Sequence, residues 1–498
     1  MFSRGRRDRG QLLSGGEACT AGGDLATKPP AFLGRIGSTQ SRMRRLPASV
    51  TEIKVSGQNV LENPCCLSPL FRNSEKDESA SSLNDSQNSW GEGASIAGSG
   101  WGTALKWGMG VALAHRLLLG VWMAAVWLII SPWTTYEADF DAVEAYDLPP
   151  LSSPAEQLIF GVWRRWDANH YLNLAVHGYQ PENPGPTVFG ALMPLAFRFF
   201  DRVLPGPVDL AAMVCETLAF GLALTLLFRL CATHFGDEQL ARWAVGVTAI
   251  QPLSYFFAAP LSESAYLALS LGMFYAAYRE RWLVVGLCGF LATLARTQGV
   301  LLAAVAGLIL LEKAHTPRDQ LREIIRRSWA LLLIPAGALV FTAFRAGLGL
   351  PPLSDVYLHY SHHFYTNPVR GLFLNARYFV RQWPHSAYDT DLLALVVSLV
   401  LGGALLRHPF LGQLPLVGYT WLHLLLFLSK INRDHFTFEI TNTQSFGRYA
   451  LILFPLTLLV TDWLRRRPSA RTRFLSLAAL SAILLVFSAR YVLYLIGP

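Results

Sequence analysis

Charge is what this sequence has least of. Only 15% of its 498 residues are Asp, Glu, Lys or Arg, whereas a soluble globular chain carries about 25%. Together with 52% hydrophobic residues and a mean hydropathy of +0.32, that shortage excludes the two or three soluble domains that length alone would allow. Cysteine is scarce as well, with six in all. Cys215, Cys231 and Cys288 lie in apolar stretches and Cys65 and Cys66 are adjacent in a polar one, so neither a disulfide framework nor a zinc spacing is present. No internal repeat is visible, and ionisable residues inside apolar runs are few, Glu216 being the clearest. The net charge of +8 does not point to nucleic acid, because its arginines cluster beside apolar runs, as in Arg322–Arg327 and Arg465–Arg467. Short basic loops of that kind mark the cytoplasmic side of a membrane protein.

What the sequence has in abundance is long apolar runs, among them Leu117–Ile130, Leu210–Cys231, Val300–Leu311 and Leu475–Phe487. With their flanks, several approach the roughly 20 residues needed to cross about 30 Å of hydrocarbon. The expected architecture is an all-α polytopic membrane protein of about eleven spans, near 107–131, 209–232, 242–258, 261–278, 282–297, 299–313, 328–347, 391–407, 411–428, 447–464 and 474–495. Residues 1–105, rich in Gly, Ser, Asn and Arg, read as a disordered cytoplasmic tail. The alternatives are an organelle transit peptide, or a start at Met43 or Met109. Residues 106–498 form the membrane domain. With a cytoplasmic N-terminus, the basic loops fall on one side and segments 132–208, 348–390 and 429–446 on the other. Residues 188–204 are apolar enough to span, yet counting them as a span inverts every later loop. They are therefore expected to form an interfacial or re-entrant helix with Arg198, Asp201 and Arg202 on its polar side; the alternative is a true span, with 282–313 forming one helix rather than two.

The first outer segment is acid-rich, and within it Trp163–Gly185 packs aromatics, a carboxylate, an amide and two histidines into one short stretch. Asp167 and His170 are three apart, so on a helix they share a face. A Trp-Asp pair in a loop otherwise serves as a helix cap. His359, His362 and His363, with Asp355 and His385 nearby, invite a metal reading. No Glu lies between His359 and His363 as in H-E-x-x-H, and the interspersed Tyr357, Tyr360, Phe364 and Tyr365 suggest an interfacial aromatic helix instead. No metal and no cofactor are expected.

Four stretches resemble one family. Trp166-Asp167-Ala168-Asn169-His170-Tyr171, followed by Ala175-x-x-Gly178-Tyr179, is similar to the W-D-A-x-H-[FY]…A-x-x-G-Y element of the PIG-V mannosyltransferases. Pro260–Ser264 resembles the family's Y-[ST]-E-[SA] stretch, and Ala295–Gly299 its T-R-S-N-G. Ser445-Phe446-Gly447-Arg448-Tyr449, then Phe454-Pro455, resembles its S-x-x-R-Y…F-P. The four occur in the family's order. The chain departs from it at Phe189–Pro194, which keeps only the first Phe, the Leu and the last Pro of F-F-P-L-[FY]-P. That departure leaves the acceptor open.

The resemblance implies a GT-C glycosyltransferase, with mannose moving from a polyprenyl (dolichyl-type) phosphate donor to a lipid-linked or glycan acceptor at the non-cytoplasmic face. In eukaryotes the family acts in GPI-anchor synthesis in the endoplasmic reticulum; a bacterial member would sit in the plasma membrane. It further implies inversion at the anomeric carbon, with Asp167 as general base and His170 beside it as catalytic residues. Trp166, Asn169, Glu263, Arg296, Arg448 and Tyr449 would bind substrate, one of the two arginines neutralising the departing phosphate. Expected partners are the lipid-linked donor, a glycolipid or glycan acceptor and membrane lipid, and no nucleic acid. The rival readings are a transporter or flippase of lipid-linked sugars, which would need ionisable residues within its spans, and a non-catalytic subunit of a glycosylation complex.

Overall fold

A chain this apolar becomes helical because, in lipid, each backbone N–H and C=O must find its partner within its own segment. The computed structural model describes residues 100–133, 148–313, 317–360, 362–382, 389–433, 440, 443 and 445–493. The proposed tail up to residue 99, the acids from Glu137 to Asp147, and His385 lie outside the described residues. In order, the elements are α1 (Trp101–Ile130), α2 (Pro154–Ile159), α3 (Asp167–His177), α4 (Leu192–Val203), α5 (Val208–Thr233), α6 (Glu238–Ile250), α7 (Glu263–Tyr278), α8 (Trp282–Ala295), α9 (Leu302–Lys313) and α10 (Pro317–Gly347). There follow α11 (Leu353–His359), β1 (His363–Tyr365), α12 (Pro368–Gln382), α13 (Asp389–Leu405), α14 (Leu414–Ser429), β2 (Lys430–Asn432), α15 (Phe446–Leu451), α16 (Phe454–Arg465) and α17 (Ala470–Val492).

Among the described residues, four helical stretches are long and apolar enough to cross a bilayer: Trp101–Trp133, Val208–Thr233, Trp329–Gly347 and Ala470–Val492. Within the first, third and fourth of these, only 28%, 28% and 22% of the most apolar window is buried in the protein. Apolar surface of that extent needs lipid to cover it. The chain is a helical membrane protein. The second, α5, is 61% buried and forms the central pillar, with α1, α6 and α7 packed against it. Gly108 and Gly221 let α1 and α5 approach closely: a side chain at either would meet Thr225 or Met109 on the facing helix.

The other seven expected spans correspond to shorter helices, and two of the interruptions have visible causes. Pro252 forces Gln251 into an extended conformation and ends α6. Pro455 sits in the first turn of α16, a position that starts a new helix rather than continuing α15. The resulting helices of 12–17 residues reach about 18–26 Å at 1.5 Å per residue.

Segment 188–204 contains the 12-residue helix α4 (Leu192–Val203), about 18 Å long by the same rise. Leu195, Phe199 and Val203 form an exposed apolar stripe, while Met193 and Phe197 bury the opposite face. Arg198 and Arg202 follow the stripe at helical spacing. The aromatic segment differs from expectation. Helix α11 ends at His359, and His363–Tyr365 instead pairs antiparallel with Lys430–Asn432, Tyr365 opposite Lys430. His359 and His363 therefore share no helix.

Candidate active site

Helix α3 begins at Asp167, directly after Trp166, whose φ of 53° is unusual for a non-glycine residue. The ion pairs start there. Arg448 donates through Nη1 to Asp167 Oδ2 and through Nε to Glu263 Oε1 at 2.8 Å. Arg296 Nη1 meets that same Glu263 oxygen at 2.8 Å. The Glu263 side chain is 0% exposed, and its other oxygen accepts the Ser262 N–H at 3.0 Å. A carboxylate that deeply buried persists only where cations and hydrogen bonds replace its water. Two guanidiniums and the N-terminus of α7 do so here. The side chain of Asp167, by contrast, is 25% exposed and faces a cavity of about 520 Å³. That volume lies in the range of small-molecule sites.

Each member stands at the end of an element, which explains how four distant stretches meet. Asp167 and Glu263 open α3 and α7, Arg296 follows the last residue of α8, and Arg448 lies in the six-residue α15. Gly190 packs so tightly on the backbone carbonyls of Leu294 and Ala295 that a Cβ would not fit, holding the chain beside Arg296. Tyr171, one turn into α3, exchanges a hydrogen bond of 2.8 Å with Ser262. The turn before α15 is held from a third direction. Asp391, at the start of α13, accepts the Ser445 N–H at 3.0 Å and the Gly447 N–H at 2.8 Å. It thereby fixes Ser445 in the left-handed conformation, φ 62°. Strained backbone of this kind, at about 1–3 kcal/mol per residue, gathers at functional sites. Trp166 and Ser445 both line the cavity.

Among the site residues expected from sequence, Trp166, Asp167, His170, Arg296, Arg448 and Tyr449 line the cavity, and Glu263 lies immediately behind it, joined to both arginines. His170 stacks on Phe189, ring centroids 5.4 Å apart. Burial pulls its imidazole below the ordinary pKa of 6.5, against the opposing pull of Asp167, so it is neutral at pH 7. Asn169 is not brought to this group. It is two residues from Asp167, hence on the other side of α3, and it lines a separate cavity of about 250 Å³ with Arg164 and Trp127. Among the described residues, no group of three or more His, Cys, Asp or Glu could hold a metal ion. His363 faces the cavity beside Tyr357 and Tyr360.

Sequence reasoning passed over Asp391 and Lys430. Asp391 reads there as a carboxylate at a helix start and Lys430 as a cation ending an apolar run; nothing local says what either one faces. Compared with known proteins, the chain matches no protein-family model and no curated protein.

Proposed function

We propose that this chain is an integral-membrane glycosyltransferase of the GT-C kind, akin to the PIG-V mannosyltransferases. It transfers mannose from a polyprenyl-phosphate donor to a lipid-linked or glycan acceptor at the non-cytoplasmic face. One observation carries the reading: residues from four stretches, as far apart as Asp167 and Arg448, converge through direct ion pairs on one cavity. They are the four stretches that carry the resemblance. Eleven spans, with the first large loop outside, remain the topology this reading assumes. The isoprenoid of the donor then stays in lipid while its phosphosugar enters the cavity from the outer interface. The compartment is the endoplasmic reticulum in a eukaryote and the plasma membrane in a bacterium.

In the reaction, the acceptor oxygen bonds to C1 of the sugar as the C1–O bond to phosphate breaks, and that electron pair leaves on the phosphate. The acceptor proton passes to the carboxylate of Asp167, which Arg448 holds by one oxygen. General-base catalysis of this kind contributes about 10²–10⁴-fold. Neutral His170, on the same face of α3, orients the acceptor hydroxyl. Attack opposite the leaving group inverts the anomeric centre.

The test is transfer of radiolabelled mannose from polyprenyl-phosphate mannose by membranes containing the wild type or Asp167→Asn. Transfer by the wild type alone, giving an α-mannoside from a β-linked donor, is the expected result. Equal transfer by both removes Asp167 as base. Absence of transfer by either favours the transporter or non-catalytic subunit. The transporter reading has one observation on its side, the fully buried Glu216 within α5.

A further inference from the structure

Among the described residues, the charges around the cavity do not cancel. Asp167 and Glu263 are matched by Arg296 and Arg448, each cation already committed to a carboxylate. A third cation lines the same cavity: Lys430, on β2. Among the described residues no carboxylate pairs with it. Its ammonium donates to the Tyr449 hydroxyl at 2.8 Å and lies 5.4 Å from the ring centre of Tyr357 and 5.2 Å from that of Tyr449. An ammonium has three N–H donors, so two of these have no protein acceptor among the described residues. Tyr449 is arranged to help. Its ring lies flat on Phe427, centroids 4.8 Å apart, and Arg296 faces it at 5.3 Å. Because its oxygen accepts from Lys430, the phenolic O–H remains available to donate. The strand pair holds Lys430 in place from below, with Ile431 fully buried. The result is a half-buried positive charge with spare donors, at the wall of a cavity whose other described cations each face a carboxylate.

The geometry points to Lys430, with the Tyr449 hydroxyl, as the site that binds the phosphate of the lipid-linked donor and receives it as leaving group. Arg296 and Arg448 then act as the frame that holds the two carboxylates rather than as the phosphate's counter-ions. The inference rests on the glycosyltransferase reading for the identity of the ligand, but the anion site itself does not. Charge at this position changes during the reaction. The donor is a phosphodiester with one negative charge, and when C1–O breaks the departing phosphomonoester gains a second. A cation without a carboxylate partner is free to interact with that added charge, and a fixed donor aimed at developing charge is worth about 10²–10³-fold in rate.

The experiment uses the full chain in lipid nanodiscs and measures polyprenyl-phosphate binding, inorganic-phosphate binding and mannose transfer side by side. The variants are Lys430→Met, Lys430→Arg and Asp167→Asn, each checked for an unchanged unfolding midpoint. The expected result is a weakening of polyprenyl-phosphate binding by about tenfold or more in Lys430→Met, the scale of one lost charge-assisted hydrogen bond. Transfer should fall with it, Lys430→Arg should recover part of both, and Asp167→Asn, which keeps Lys430, should still bind polyprenyl phosphate while losing transfer. Competition by inorganic phosphate separates recognition of the phosphate from recognition of the lipid. If the wild type transfers mannose and Lys430→Met binds and transfers equally well, the proposal falls and the glycosyltransferase reading stands. If the wild type binds polyprenyl phosphate through Lys430 but transfers nothing, the anion site stands and the enzyme reading falls. If the wild type does neither, both fall.

Discussion

Among the described residues, two clusters of buried charge are built differently. Around Asp462, at the C-terminal end of α16, the links are short in sequence or simple in purpose. Asp462 pairs with Arg465 at 3.0 Å and Arg466 at 2.6 Å, three and four residues on. It also meets His408 at 3.2 Å. Arg465 then reaches Asp237 at 2.5 Å, which caps α6 through the Leu240 N–H at 2.7 Å. That cluster lines no part of the 520 Å³ cavity and fastens two helix ends together. Around Glu263, every ion pair joins residues far apart in sequence, strained residues flank it, and among the described residues a cation is left over at the cavity wall. A closed charge network staples a fold. An open one, held at the cost of buried charge and strained backbone, is what a site for a charged reactant requires.

The sharpest way to break the open cluster is Glu263→Gln. It leaves Arg296 and Arg448 facing each other without their shared anion, which should destabilise by about 3–5 kcal/mol and, on the proposed function, abolish transfer; thermal unfolding and transfer measured on one preparation check both. Next comes Asp391→Ala. Two backbone N–H groups lose their acceptor, about 1–3 kcal/mol for each one left unpaired, and the turn carrying Arg448 relaxes. Asp391 is not part of the cavity lining, so on the proposed function it positions Arg448 without touching substrate: kcat should fall by about tenfold or more, with KM for the donor little changed and Asp391→Asn recovering part of the loss. In the closed cluster, Asp462→Asn should lower stability by about 1–2 kcal/mol and leave transfer per folded molecule intact. The smallest effect concerns His170. Its imidazole titrates below the ordinary value in the folded protein, so below about pH 6.5 the unfolded chain binds a proton that the native state refuses. Stability therefore falls as pH drops below 6.5, by at most about 1.4 kcal/mol per pH unit from this group. His170→Gln should flatten that slope in unfolding midpoints measured from pH 7 to 5.

The comparison also explains what could be read from the sequence. Residues tied to periodicity or to a motif were legible: the long apolar helices α1, α5 and α17, the short amphipathic α4, and the candidates Asp167, Arg296 and Arg448, which meet beside one cavity. Their meeting was not, since it depends on which helices stop and where. Pro252 and Pro455 are plain in the sequence, but the runs they divide look continuous to a hydropathy window. Lys430 and Asp391 were invisible for a different reason: each acts across a distance in sequence, Lys430 on Tyr449 and Asp391 on the turn at Ser445. The strand pair that presents Lys430 is only three residues on each side, too short for any alternation to announce it. Asn169 is the opposite case. Its place away from Asp167 follows from the helical spacing of 3.6 residues per turn, a signal that the motif drew attention away from.

The most direct measurement sets the two clusters against each other: mannose transfer per folded molecule, with unfolding midpoints, for Asp167→Asn and Asp462→Asn in the same membranes. The account predicts a loss of about 10²–10⁴-fold for Asp167→Asn with little change in midpoint, and a lowered midpoint with undiminished transfer for Asp462→Asn. Equal transfer by the two variants would contradict it.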